Sequence, residues 1–249
     1  MVKIFWIAGI GTAVTLIAVF IAWWYYRGVN ASEDPRILPA RDYLMRSDRC
    51  MQEGKYPEAM MLTDSAAAII TALPCYKDSY EMGVLENNRG SASLGMAIYQ
   101  PGDSLRKQEL LVQAEKHIRM AIAVYEQWLA RYRSSSREQL VRESTGCFQK
   151  DDPALEGKDL NALIEKRAND LELARVETPR RLSVAWSNLG MIQRHQFQQD
   201  SALESYLKAL RIWKRNPTAE NNLNTLLGRP MEDESILEQL FPPDRRKPD

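Results

Sequence analysis

Apolar residues recur along most of this chain at steps of three and four, the period of a helix with one buried stripe. The clearest stretch runs from Ser183 to Pro217. Trp186 and Leu189 lie one turn apart, Gly190 follows, and Ala202, Tyr206 and Ala209 form a second stripe at i, i+4 and i+7. This spacing predicts two short helices folded back on each other. The polar run Gln196 to Gln199 makes the turn, Asp200 caps the second helix, and Gly190 lets a neighbouring helix come close.

The rest of the chain reads in the same terms. Tyr43, Ser47, Cys50, Gly54, Tyr56, Ala59 and Ala66 trace an earlier hairpin, with Pro74 after it. Pro101 and Gly102 place a loop at Gln100 to Ser104. Leu110, Ala114, Ile118, Ala121 and Tyr125 predict one long helix from Leu105 to Arg133. Ser135 and Glu138 fit a capping box for a short helix ending near Gly146, and Cys147 to Gly157 reads as a surface loop. A helix is expected from Leu160 to Val176, with Thr178 and Pro179 opening the next one.

The Trp186, Leu189-Gly190, Ala202, Tyr206 and Ala209 positions resemble the tetratricopeptide repeat (TPR), a helical hairpin of about 34 residues. Gly54-Lys55-Tyr56-Pro57-Glu58-Ala59 is similar to a familiar form of its turn. Gln193 stands where the family has an aromatic, and Pro217 falls about three residues late. The resemblance implies an all-α, TPR-like helical-hairpin solenoid over residues 40–241 with an irregular, extended middle. Its best repeats are 40–73 and 183–216, followed by a partial repeat at 217–227 and a capping helix at 232–241. Residues 242–249, charged and Pro-rich, are expected to be disordered.

The resemblance also implies a function. TPR arrays bind protein or peptide segments in a concave groove lined by their first helices. Carried onto this chain, the groove residues are Asn188, Met191, Arg194, His195 and Asn222, with Asn88 and Met45 in the earlier hairpins. Asn188 and Asn222 share one repeat position, where the family uses Asn to bond a bound peptide backbone; as a common consensus residue there, Asn also has a purely structural reading. The alternative is a fixed subunit of a larger membrane machine, joined by its convex face. An exposed Trp128 on an apolar outer face would favour it.

A membrane segment precedes this array. Ile4 to Tyr26 is 23 residues without a charge, enough to cross a bilayer, after a short tail at residues 1–3. Trp23, Trp24, Tyr25 and Tyr26 form an aromatic belt before Arg27. The rival is a cleaved signal peptide with Val29-Asn30-Ala31 as its cleavage site, but the apolar run is long for one and the aromatics and Arg27 intervene. An uncleaved single-pass anchor of bacterial inner-membrane type is expected, with residues 27–39 as a linker and the helical domain on the periplasmic side. Small-residue steps from Ala8 to Thr12 are compatible with homo-oligomers.

Composition removes several alternatives. The formal net charge is zero and Lys and Arg are interspersed with Asp and Glu, so nothing points to nucleic acid. Three separated cysteines, Cys50, Cys75 and Cys147, form no CxxC pair, and their odd number leans toward reduced thiols. That leaning opposes a periplasmic domain. The two histidines, His117 and His195, have no metal ligand at i±4; His117 is expected to be exposed. No nucleophile elbow, phosphate loop or dinucleotide fingerprint is present, so neither catalysis nor a cofactor or metal is expected.

Overall fold

The computed structural model describes residues 32–100 and 102–231, together with Thr15, Val19 and Phe20. These residues are all-helical, with no strand among them. Helices α1 (Leu38–Gln52) and α2 (Tyr56–Ala72) form the first hairpin. A single turn, α3 (Pro74–Lys77), leads to α4 (Tyr80–Tyr99), which folds back on α5 (Ser104–Tyr132). Then come α6 (Arg137–Thr145), a short 3-10 turn at Pro153–Leu155, and α7 (Leu160–His195). Helix α8 (Gln199–Ile212) folds back on α7, and α9 (Pro217–Leu226) packs against both. The hairpins stack in sequence, α4 on α2 and α7 on α5.

One crossing recurs in all three hairpins. Each second helix buries two alanines seven residues apart: Ala59 and Ala66, Ala114 and Ala121, Ala202 and Ala209. The residue four after the first alanine meets a small residue of the first helix. In the first hairpin Thr63 Oγ1 lies 2.9 Å from Ser47 Oγ. In the second, a Cβ on Gly90 would sit 2.5 Å from Ile118; in the third, a Cβ on Gly190 would sit 2.5 Å from Tyr206. Small residues at these points let the helices close to interior packing density. The segment from Cys75 to Arg133, expected to be irregular, therefore carries a hairpin of the same kind with longer helices.

Helix α7 differs from its expectation. No break occurs at Thr178, and Pro179 lies inside a continuous helix of 36 residues. Proline in a helix interior costs about 3 kcal/mol. Here both halves are held by long α5: Leu171 and Ala174 bury with Trp128 and Tyr132, while Leu182, Ala185 and Leu189 bury with Ile118, Ala121 and Tyr125. Packing on both sides of the proline outweighs its local penalty.

Smaller corrections concern the caps. The capping box of α6 is Ser136 with Gln139, one residue later than Ser135 with Glu138. Helix α8 begins one residue before Asp200, with Gln198 at its N-cap, so Asp200 sits in its first turn. Gln193, in place of an aromatic, accepts a 2.7 Å bond from Ser205 across the hairpin. The late Pro217 opens α9, and buried Asn216 caps that helix while donating to Ser183 Oγ at 2.8 Å.

The cysteine reading is overturned. Cys75 and Cys147 form a disulfide across 72 residues of sequence, with Cα atoms 5.5 Å apart, and Cys50 alone is free. An odd count concealed a single bridge. The linker also ends early: Asp34 and Ile37 are buried in the domain. The anchor expected at residues 4–26 lies outside the described residues except for Thr15, Val19 and Phe20, and so do the capping helix expected at 232–241 and the tail. Among the described residues, no helix is long and apolar enough to cross a membrane.

Candidate functional site

The first helices α4, α7 and α9 are neighbours, and their side chains carry the expected groove residues. Asn188 on α7 donates through Nδ2 to Asn87 Oδ1 at 3.1 Å and to Ser91 Oγ at 3.2 Å, both on α4. Asn88 is half-buried one residue further along α4. When Gly90 is matched to Gly190, Asn88 falls opposite Asn188 in register. Asn222 is half-buried on α9, beside Asn221. Helices α7 and α4 thus bring together two side-chain amides and a hydroxyl, while Asn222 lies on the neighbouring α9.

Further along α7, Met191 is half-buried and packs on the main core. His195 is half-buried near the hairpin turn. Burial, with Arg194 and Lys107 nearby, holds the His195 imidazole below the ordinary histidine range. Arg194 also faces Tyr206, whose phenol burial pushes up to about 12. Gln196 reaches from the turn to Glu115 of α5 at 3.0 Å.

Met45 stands apart from this group. It is exposed on α1, where it lines an open depression of about 490 Å³ with Arg41, Leu44, Asp48, Arg49 and Gln52. Burial raises the Asp48 carboxyl above its ordinary range. All six residues come from α1, so the depression lies apart from the face shared by α4, α7 and α9.

His117 is not exposed as expected. Its Nδ1 lies 2.7 Å from the buried Glu86 carboxylate, which also accepts from Arg89. Burial pushes the Glu86 carboxyl up, but the bonds from His117 and Arg89 outweigh it and hold it below its ordinary range. Among the described residues, no group of three or more His, Cys, Asp or Glu could hold a metal ion.

Asn87, Ser91 and Lys107 escaped the sequence reading. The doublet Asn87-Asn88 matches Asn221-Asn222, and that repetition was the available signal. Searches against protein-family models, curated proteins and solved structures find no match.

Proposed function

We propose that the chain is a membrane-anchored, TPR-like adaptor that binds a protein or peptide partner along the face shared by α4, α7 and α9. The recurrence of one helix crossing in three stacked hairpins carries this reading. Stacked hairpins of this kind leave their first helices side by side as an extended surface. Asn188, Asn87 and Ser91 make part of this face amide-rich, which suits hydrogen bonds to a peptide backbone.

Residues 4–26 supply the anchor in this reading. The Cys75–Cys147 bridge supports a domain outside the cytoplasm, because disulfides persist in oxidising compartments. Trp128 is buried, which withdraws the feature that would have favoured attachment through the convex face.

Asn188 is a poor probe of the groove, because its amide already joins α7 to α4. The informative variant is Asn222→Lys in the full chain, since Met191 packs on the core and cannot be charged without cost to the fold. It is crosslinked in intact cells and compared with wild type by quantifying the proteins that copurify. Loss of a partner at unchanged helicity and melting temperature is the expected result. An unchanged set of partners contradicts the groove.

A further inference from the structure

We propose that the base of the domain, the end where the chain enters it, is held against the bilayer in a fixed orientation, with the hairpin turns pointing away. The inference rests on the anchor reading above and goes beyond it by assigning the surface that faces lipid.

The first described residues do not form a loose tether. Glu33 is paired with Arg41 and with Lys166, at 3.0 Å to the latter. Asp34 is buried and accepts from Tyr76 Oη at 3.1 Å and from Arg36 Nη2 at 2.9 Å. Arg36 also donates to Asp152 at 2.9 Å and to the Cys147 carbonyl at 3.0 Å, and lies over the Phe148 ring. The Cys75–Cys147 bridge closes the same cluster. Beneath it, the buried guanidinium of Arg167 pairs with Glu81, donates to the Cys75 carbonyl at 3.0 Å and stacks on Tyr76. Segments from 33–36, 75–81, 147–152 and 166–170 are thereby tied at one end of the molecule.

The hairpin turns lie at the other end. Tyr56, just after the first turn, stacks on Tyr99, just before the second, with centroids 6.0 Å apart. Helix α4 runs between the ends over 20 residues, about 30 Å.

Covalent length then fixes what the base can face. Only residues 27–31 separate Tyr26, the last residue of the apolar run, from Ser32. A chain of that length spans about 20 Å at most. A short tether joined to a rigid cluster keeps the bilayer next to the base. The exposed residues there include Lys77, Asp78, Gln149 and Lys150. The turns, with exposed Phe197 and Tyr99, stand on the far side.

The test uses the full chain in liposomes whose headgroups carry an energy-transfer acceptor. A fluorescent amino acid is introduced by stop-codon suppression at Lys150 in one sample and at Gln199 in another. Transfer is expected to be strong from position 150 and weak from 199, since the two ends differ by about 30 Å. Releasing the cluster with Glu33→Gln, Asp34→Asn and Arg36→Ala is expected to bring the two efficiencies together while helicity holds. Equal transfer at the two positions in the wild type, or a difference that survives the triple variant, overturns the proposal. Carbonate extraction separates the two levels. A chain washed off the liposomes overturns the anchor reading and this proposal with it, whereas a retained chain with equal transfer overturns the orientation alone.

Discussion

Two residues are held in ways the surrounding fold does not require. Phe197 has φ of +62° and is 89% exposed, at the turn between α7 and α8. In the first hairpin Gly54 holds the equivalent place with φ of +72°. The turns close alike: Lys55 N–H donates to the Cys50 carbonyl at 2.8 Å, and Gln198 N–H to the Gln193 carbonyl at 2.9 Å. Glycine adopts this conformation freely, while a side chain costs about 1 kcal/mol or more. Phe197→Gly should therefore raise stability by about 1 kcal/mol in urea denaturation, despite removing an aromatic side chain. A loss of stability would mean that the Phe197 side chain contributes contacts to the fold. Glu86 is the second case. Its carboxyl is held below the ordinary range in the folded chain, so its contribution is present above the unfolded value and disappears as pH falls through the lowered one. Glu86→Gln should lose less stability than wild type between about pH 5 and pH 3.

The elements differed in how plainly the sequence announced them. The third hairpin was legible because Trp186, Leu189 and Gly190 stand together on one helix. The second was obscured. Glu86 and Arg89 occupy the places of Trp186 and Leu189, leaving Gly90 as the remaining marker on α4. Those two polar residues are tolerated because they pair with each other and with His117 and Asp64, which periodicity cannot reveal. Helix α7 runs through Pro179 because burial on both sides of the proline overrides the local rule that a proline opens a helix. The candidate face was half legible: the amides were visible as residue types, but the bonds from Asn188 to Asn87 and Ser91 depend on how two helices meet. The recurring crossing can be tested at one point. Gly190→Ala would place a methyl 2.5 Å from the Tyr206 ring, and overpacking of this sort costs about 1–3 kcal/mol. The expected readout is a lower urea midpoint at an unchanged slope.

At the scale of the whole molecule, the array is closed by one long-range bridge. The disulfide ties the junction of the first two hairpins to the loop before α7. A bridge over such a separation stabilises typically by about 2–4 kcal/mol, mainly through the unfolded chain. Cys75→Ala with Cys147→Ala should lower the unfolding free energy by that amount and leave helicity intact. The bridge also bears on where the domain works, because its formation needs an oxidising compartment. The central claim is a membrane-anchored, partner-binding array whose helical domain lies outside the cytoplasm. The most direct measurement is thiol trapping in intact cells. Cells are quenched with acid, and the denatured chain is treated with a maleimide that adds mass per free thiol, with and without prior reduction. The account predicts one modified cysteine, Cys50, before reduction and three after it. Three modified cysteines before reduction would place the domain in a reducing compartment and contradict the account.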